Sequence, residues 1–303
     1  MRADRYGPCR GLSGFGRVAA HDRAGHPGGQ WRHHLLSGFP CPPCRAGRHG
    51  GEALKNRTAL VTGGAGGIGK AIGVALKRDG WDVVLTDLSD NLESAAAEIG
   101  ADFRHGNVTD REAMRAMVES CDRLGALVNC AGIATLTPFL EMDLAVWQRI
   151  MEVNLNAPLH LSQLAARRMA ELGGGAIVNI TSISGLRAGA LRTAYGTSKA
   201  ALIHLTRQMA LELAPLGIRC NGVAPGPVDT ELTRGHYDEA ARNEYLRAIP
   251  QDRFSSTEDI AEAVAFLCSD RAASITGQNL AVDGGYSSAG LGVPTAQGMY
   301  HQA

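Results

Sequence analysis

The sequence predicts an α/β fold: a doubly wound parallel sheet of about seven strands with helices on both faces. Three observations carry this. From Arg57 onward, short apolar runs alternate with helix-length segments, the spacing of strand-helix-strand units rather than hairpins. The runs "ALVT", "VVL" and "AIV" are continuously apolar, as strands covered on both faces must be. The first run feeds a glycine-rich turn that opens a helix. Right-handed crossovers then wind the sheet, and ligands bind beyond the carboxyl ends of its strands.

The elements follow in order. "TALVT" (58–62) is the first strand, followed by the glycine turn and a helical stretch to about Asp79. "DVVLTD" (82–87) is the second strand, and a helix near 91–99 leads to a third around 102–107. A helix over about 110–121 precedes "ALVNCAG" (126–132). A long helical pattern covers 143–171, with a break expected near Asn156-Ala157-Pro158 because proline lacks an amide donor. "AIVNITS" (176–182), a helix over about 194–214, and "IRCNGVAPG" (218–226) come next. A helix near 257–268 and "NLAVDGG" (279–285) close the pattern. Residues 231–250 are polar, show no strand pattern, and read as a mobile lid over the cleft.

The body therefore reads as one domain over 55–288, with a C-terminal tail over 289–303. Residues 1–54 differ in kind. They hold eight Arg and three acids, a net of +5, with many Gly, Pro and His and no Lys. They show neither apolar period, so the segment reads as a disordered or non-family extension. An organelle transit peptide is the alternative, disfavoured by few serines and by helix-breaking Gly and Pro.

Bulk properties narrow the function. The formal net charge of the 303 residues is +0, which argues against a dedicated nucleic-acid binder. No apolar stretch approaches the ~18 residues of a membrane helix, and the start lacks the apolar core of a secretory signal. Seven cysteines are scattered, and only Cys41-Pro-Pro-Cys44 has metal or redox spacing, without a second pair. No metal is expected. Cys121, Cys130, Cys220 and Cys268 sit in apolar contexts and read as buried thiols, which points to the cytoplasm.

The turn "TGGAGGIG" (62–69) has the composition of a phosphate cradle. Gly64, Gly66 and Gly69 fit a G-x-G-x-x-G spacing, and the helix that follows presents free N–H groups and its positive dipole end. The next strand ends in Asp87, spaced to accept hydrogen bonds from an adenosine ribose and to repel a 2′-phosphate. Gly66 stands where a basic residue would meet that phosphate. NAD is therefore preferred over NADP. A plain turn cap is the alternative reading of Asp87.

"TAYGTSKAAL" (193–202) raises a sharper question. Tyr195 and Lys199 are four residues apart, which puts them on one face of a helix. Besides Lys199 the chain has only Lys55, Lys70 and Lys77, so a lysine in an alanine-rich helix is not casual surface decoration. Thirteen residues before Tyr195, Ser182 ends a predicted strand; Asn154 lies in the preceding helix. Taken singly, a packing tyrosine, a turn-capping serine and a core amide explain these residues equally well.

Together they do not. The "TGGAGGIG" turn, "NCAG" (129–132), Asn154, Ser182, Tyr195-x-x-x-Lys199 and "PGPVDT" (225–230) appear in order on the expected elements, and the body from about 56 to 286 resembles the short-chain dehydrogenase/reductase family. That resemblance implies a Rossmann-like fold, a dinucleotide cofactor and a secondary alcohol or ketone substrate. It implies Asn154, Ser182, Tyr195 and Lys199 as the catalytic set. It implies cofactor contacts from Thr62, Gly63, Gly67, Ile68 and Gly69 in the turn, and from Asp87. Asn107 and Val108 would flank the adenine, Asn107 replacing the family's usual aspartate and accepting through its amide oxygen. Asn129, Ala131 and Gly132, then Pro225, Gly226, Val228 and Thr230, would border the nicotinamide half, with Tyr195 and Lys199.

The chemistry fits these residue types. Oxidising an alcohol needs a base for the hydroxyl proton, and a free tyrosine titrates near ~10, too high at neutral pH. An ammonium ~4 Å away contributes ~4 kcal/mol at an effective dielectric of ~20, so Lys199 is expected to pull the phenol of Tyr195 down. Ser182 would hydrogen-bond the substrate oxygen. The resemblance also gives Lys199 the nicotinamide ribose and gives Asn154 the support of Lys199 through a water.

Arg187 and Arg192, in the loop before Tyr195, are candidates for an anionic substrate group, with solvated surface arginine as the plain alternative. The resemblance implies a homotetramer joined through the long helices ending near Glu171 and Ala214. Two competing functions stay open. One is an NADPH-dependent reductase of 3-oxoacyl thioesters; the other is a non-catalytic nucleotide sensor on the same fold.

Overall fold

A computed structural model describes residues 57–230, 238–290 and 292–300. The extension over 1–54, its Cys41-Cys44 pair and the lid residues 231–237 lie outside the described residues.

Seven parallel strands form one sheet: β1 (Thr58–Thr62), β2 (Asp82–Asp87), β3 (Asp102–His105), β4 (Leu124–Asn129), β5 (Gly175–Ile180), β6 (Ile218–Pro225) and β7 (Asn279–Val282). Their spatial order is β3-β2-β1-β4-β5-β6-β7, so the winding reverses between β1 and β4 and opens a crevice at their carboxyl ends. Helices α1 (Gly67–Arg78), α2 (Leu92–Ile99), α3 (Arg111–Glu119), α4 (Leu144–Met151), α5 (Ala157–Glu171) and α6 (Thr193–Leu213) provide the crossovers; α7 (Glu239–Ala248), α8 (Thr257–Cys268) and α9 (Val293–Tyr300) follow.

Strand alternation builds two cores, one on each face. Ala59 and Val61 of β1 join Ile72 and Leu76 of α1 and Ile260 and Val264 of α8. Leu60, between them, turns to the opposite face with Met114 of α3, Leu161 and Met169 of α5 and Met209 of α6. Helix ends follow local chemistry. The Asp110 carboxylate accepts from the amides of Glu112 and Ala113 at 3.1 and 3.0 Å, and Ser256 and Asp259 form a reciprocal capping box on α8. Left-handed Gly100, with φ 64°, stops α2.

The structure sharpens or corrects the sequence expectation in three places. The break in the 143–171 helix takes the form of a π-helical turn, Glu152–Asn156, ending two residues before Pro158. Pro158 follows in the first turn of α5, directly after that π turn. Within the 231–250 stretch, α7 forms an ordered helix capped by Asp238. Residues 293–300, inside the expected tail, also form a helix, and Gln297 Nε2 donates to the carbonyls of Leu246 and Ile249 at 3.3 and 2.8 Å.

Candidate active site

The glycine turn is shaped by crowding. Gly63 has a left-handed φ of 68°, and a Cβ there would lie 2.9 Å from Ala131 backbone atoms. A Cβ on Gly69 would overlap the Gly63 carbonyl oxygen. Glycine at both positions lets α1 pack onto the ends of β1 and β4. Gly66, the residue before α1, is different: a Cβ there meets nothing closer than 3.8 Å. A Cβ on Gly67 would stand 3.5 Å from the Thr230 methyl, which brings the "PGPVDT" segment to the start of α1. That segment is anchored where Gly226 N donates to Val282 O at 3.0 Å and Val228 bridges to Ser255.

A cleft of about 470 Å³ opens at the switch point, lined in part by Gly63, Asp87, Asn107, Val108, Ala131 and Gly132. Four of the expected cofactor residues turn out to be occupied within the protein. Thr62 is 1% exposed, and its hydroxyl accepts from the amides of Cys130 and Ala131 at 3.0 Å each, locking β1 to the end of β4. Asn129 points into the core, where its Nδ2 donates to Asn179 Oδ1 at 2.8 Å and Ser162 Oγ at 3.2 Å. Asp87 accepts from Ala65 N at 3.1 Å, Leu88 N at 2.7 Å and Ser89 N at 3.1 Å, so the carboxylate ties the end of β2 to the glycine turn. Asn107 lines the cleft while its amide oxygen accepts from the Thr109 amide and hydroxyl at 3.0 and 2.9 Å, closing the turn that leads into α3.

The catalytic candidates converge at the ends of β5 and α6. Ser182, just past β5, acts to lower the phenol of Tyr195, and its oxygen accepts from Ser184 N at 3.1 Å. Tyr195 stands in the first turn of α6, a 21-residue helix, near the positive end of its dipole. Lys199, 4% exposed, lies one turn on, its ammonium 5.8 Å from the centre of the Tyr195 ring. Lys199 Nζ donates to the Ile180 carbonyl at 2.7 Å. Asn154 is fully buried within the π turn; its Oδ1 accepts from Ile133 N, and its Nδ2 donates to Ile133 O, both at 2.9 Å. A Cβ on Gly132 would stand 3.3 Å from Asn154 Oδ1 and 3.5 Å from Lys199 Nζ, so the cleft wall, the amide and the ammonium meet at one point.

Burial dominates the electrostatics of the pair. Burial pushes the Tyr195 phenol above its ordinary range; the Ser182 hydrogen bond and the Arg192 charge oppose that rise. Lys199 is itself lowered to about 8 by burial. Its ammonium is held by the Ile180 carbonyl, 5.8 Å from the centre of the ring. Burial pushes the neighbouring Cys130 thiol up to about 12, which keeps it neutral.

Of the two loop arginines, Arg187 holds protein: it donates to the carbonyls of Tyr286 and Ala289 at 3.0 and 3.4 Å and stacks over Tyr286 at 5.5 Å. Arg192 instead donates to Tyr245 Oη on α7 at 3.4 Å, and its charge acts to lower the Tyr195 phenol.

A family model described as enoyl-(acyl carrier protein) reductase matches residues 63–287, nearly the whole described body. The chain belongs to the short-chain dehydrogenase/reductase family. Among its relatives, the cis-4-hydroxycyclohexanecarboxylate dehydrogenase of Sinomonas cyclohexanicum is 38% identical over 248 residues, covering 78% of this chain and 99% of that one. A 3-oxoacyl-(acyl-carrier-protein) reductase of Thermotoga maritima is 36% identical, covering 77% and 98%. The solved structure of a 7α-hydroxysteroid dehydrogenase complexed with NADH and 7-oxo glycochenodeoxycholic acid superposes with a TM-score of 0.73 at 34% identity, covering 77% and 94%.

The residues present fit the dinucleotide that short-chain dehydrogenase/reductase proteins bind. The cleft follows the carboxyl edge from Asp87 past Gly63 to Gly132, and the open space at Gly66 leaves the α1 N-terminus accessible. Sequence reasoning missed Arg149, Glu152 and Val153, which line the same cleft from α4 and the π turn. Nothing in the linear pattern separates Arg149 from the other helix arginines, and the π turn that presents Glu152 and Val153 leaves no spacing signal.

Proposed function

We propose that this short-chain dehydrogenase/reductase is an NAD(H)-dependent oxidoreductase that moves hydride between a secondary alcohol, or its ketone, and nicotinamide, with Tyr195 as the general acid/base. The observation that carries the reading is the placing of Tyr195 and Lys199 one turn apart on α6, the ammonium 5.8 Å from the ring centre and held by the Ile180 carbonyl at the carboxyl edge, with Ser182 acting to lower the phenol.

The cofactor, when bound, supplies the hydride acceptor or donor. The chain's own residues handle the proton. In oxidation, Tyr195 as phenolate takes the hydroxyl proton while hydride leaves the carbinol carbon; in reduction, the phenol returns it to the carbonyl oxygen. Ser182 donates to the substrate oxygen and stabilises its developing charge. Three features offset the burial that holds the phenol protonated: the Ser182 bond, the Arg192 charge and the first-turn position on α6. Lys199 would hold the nicotinamide ribose, fixed by the Ile180 carbonyl and by the wall that Asn154 ties to Ile133. NAD is favoured over NADP because the Asp87 carboxylate lines the cleft where a 2′-phosphate would need to sit.

A second reading, an NADPH-dependent reductase of 3-oxoacyl thioesters, is favoured by one observation: Arg149 lines the same cleft. A screen of secondary alcohols with NAD and NADP, following reduced nicotinamide, decides between them. Alcohol-dependent NADH formation supports the first reading; strict NADPH use with a 3-oxoacyl thioester supports the second and overturns the first. Binding of nucleotide with no turnover in either direction would leave a sensor.

We also assign the chain to a homotetramer of the cytoplasm. Leu159 on α5 and Leu211 on α6 are exposed apolar residues on the two long helices, and the four body cysteines are free thiols. Sedimentation at micromolar concentration tests the assembly; a monomer would reject it. Among the described residues no helix is long and apolar enough to cross a membrane.

A further inference from the structure

One amide joins the cleft wall to the helix that carries the reacting pair. Past the end of β4 at Asn129 the chain has left the sheet, so the backbone groups of Ile133 have no strand neighbour to pair with. The Asn154 side chain replaces one. Its Oδ1 accepts from Ile133 N and its Nδ2 donates to Ile133 O, both at 2.9 Å. Ile133 itself lines the cleft. The second Nδ2 hydrogen goes to Ser198 Oγ at 3.1 Å. Ser198 sits on α6 between Tyr195 and Lys199, is 0% exposed, and gives its own hydrogen to the Tyr195 carbonyl at 2.7 Å.

The donors are all accounted for. An amide nitrogen carries two hydrogens and a hydroxyl one, and each has an acceptor here. Because the Ser198 proton goes to Tyr195, its oxygen meets Asn154 as an acceptor, and the direction of every bond in the chain is set. Asn154 Oδ1 and Lys199 Nζ then stand 3.3 and 3.5 Å from the point where a Gly132 Cβ would lie, so the amide oxygen and the ammonium face one space in the wall. Thr206, two turns further along α6, repeats the same chemistry inside the core. It is 1% exposed, accepts from Asn179 Nδ2 at 2.8 Å and donates to the Leu202 carbonyl at 2.8 Å. The two hydroxyls differ in where their amide leads. Asn179 of β5 leads to Asn129 within the core, whereas Asn154 leads to the cleft wall and the ammonium.

We infer that Ser198 is a positioning residue for the proton transfer: through Asn154 its hydroxyl fixes the cleft wall at Ile133 against the turn of α6 that carries Tyr195 and Lys199. This rests on the oxidoreductase reading above and adds a residue to its machinery. Ser198 touches neither reactant in this scheme. It sets the spacing between what the wall holds on one side and what α6 carries on the other. Loss of the hydroxyl leaves one Asn154 hydrogen unpaired in a site closed to water, which is costly, so the amide turns toward a new acceptor and the wall moves with it.

A set of variants tests it. The chemical step is read as single-turnover NADH formation with cyclohexanol, or with the fastest secondary alcohol of the screen above, and NADH affinity by fluorescence titration. Ser198→Ala is expected to slow that step about ten-fold, part of the loss that a misplacement of ~1 Å brings. NADH affinity is expected to stay within about two-fold of the wild type. Ser198→Thr, which keeps the hydroxyl, is expected to recover most of the rate. Thr206→Val removes the matched hydroxyl; it is expected to lower the melting temperature at least as much as Ser198→Ala while the rate stays within about two-fold. In an Asn154→Ala background, Ser198→Ala is expected to cost less than about two-fold, because the serine acts through the amide. Should Asn154→Ala fail to fold, Asn154→Asp, whose carboxylate cannot donate to the serine, takes its place; should Ser198→Thr fail, the cycle and the Thr206 comparison decide without it. An unchanged rate in Ser198→Ala, an equal slowing in Thr206→Val, or full additivity with the Asn154 variant overturns the inference. A readout without turnover separates it from the oxidoreductase reading: hydrogen exchange of the Ile133 amide is expected to quicken about ten-fold in Ser198→Ala and not in Thr206→Val. Wild type that oxidises no alcohol, with that exchange difference present, removes the oxidoreductase reading and leaves the coupling of wall and helix standing. No exchange difference overturns the inference whatever the turnover.

Discussion

Lys199 Nζ donates to the Ile180 carbonyl oxygen at 2.7 Å and rests 5.8 Å from the centre of the Tyr195 ring. The last residue of β5 thus anchors the ammonium, and α6 carries both partners of the Tyr-x-x-x-Lys pair. A cation held this way is a positioned donor first and a charge on the phenol second. Its burial has a consequence for stability as well as for chemistry.

With Lys199 lowered to about 8 in the folded protein against an ordinary 10.5, the unfolded chain holds the extra proton between those values. Stability contributed at this site is therefore reduced below pH 8 and recovers as pH rises toward 10.5. Cys130, Cys220 and Cys268, pushed up to about 12 by burial, act in the opposite sense once pH passes their ordinary 9. The cysteines already begin to act between pH 8 and 9, so the comparison with Lys199→Met, which shares them, isolates the lysine. Over that interval, urea unfolding of the wild type is expected to gain about 1 kcal/mol relative to Lys199→Met. Parallel curves for the two proteins would show that Lys199 keeps an ordinary affinity for its proton.

Tyr195→Phe removes the phenol oxygen and keeps the ring. If that oxygen moves the proton, turnover falls by about 10²–10⁴-fold, the usual worth of a general acid/base. NADH affinity, read by fluorescence titration, stays within about two-fold of the wild type, since the ring and Lys199 remain. Because burial raises the phenol while Ser182 and Arg192 oppose it, the wild-type oxidation rate is expected to climb with pH on the alkaline side. A flat profile with retained turnover in Tyr195→Phe removes this residue from the mechanism.

The sheet, its parallel sense and the glycine turn were legible because each has a periodic or compositional cause: "ALVT" and "AIV" must be covered on both faces, and Gly63 and Gly69 stand where a Cβ collides with backbone. Linear spacing also brought Ser182, Tyr195 and Lys199 to one place. Partners were less legible. Asp87, Asn107, Asn129 and Thr62 sit where the motif puts them, yet their polar atoms are used on Ala65, Thr109, Asn179 and Cys130, contacts between segments far apart or in a turn whose closure has no unique sequence. The Ile180 anchor of Lys199 is a backbone carbonyl, which any residue could supply. Arg187 and Arg192 read alike in sequence, and only the fold gives one to the Tyr286 and Ala289 carbonyls and the other to the Tyr245 phenol.

Two glycines of one turn are expected to respond oppositely. Gly69→Ala drives a Cβ into the Gly63 carbonyl, a backbone atom that cannot swing aside, so α1 must shift off β1. Overpacking of this kind costs about 1–3 kcal/mol or more, and NADH binding should be lost with it. Gly66→Ala meets nothing within 3.8 Å and keeps the thermal midpoint of the wild type. Its added methyl stands in the space outside the α1 N-terminus, so nucleotide affinity is expected to fall while the fold holds. Equal melting temperatures for both variants would show that the helix has more room than its contacts with β1 imply.

The two roles of Asp87 can be separated. Its carboxylate braces the glycine turn through Ala65 N and lines the cleft at the same time. Two unit charges ~6 Å apart at an effective dielectric of ~20 repel by about 3 kcal/mol, enough for a ten- to hundred-fold bias against a 2′-phosphate. Asp87→Ser keeps an acceptor for the turn amides and removes the charge. NADPH is then expected to gain at least ten-fold on NADH in the ratio of dissociation constants, with a modest loss for NADH from the weakened brace. An unchanged ratio with both affinities lowered would leave Asp87 as a turn brace alone, and the discrimination would pass to Arg149 on the opposite wall, whose replacement by Gln would then change NADPH affinity and not NADH affinity.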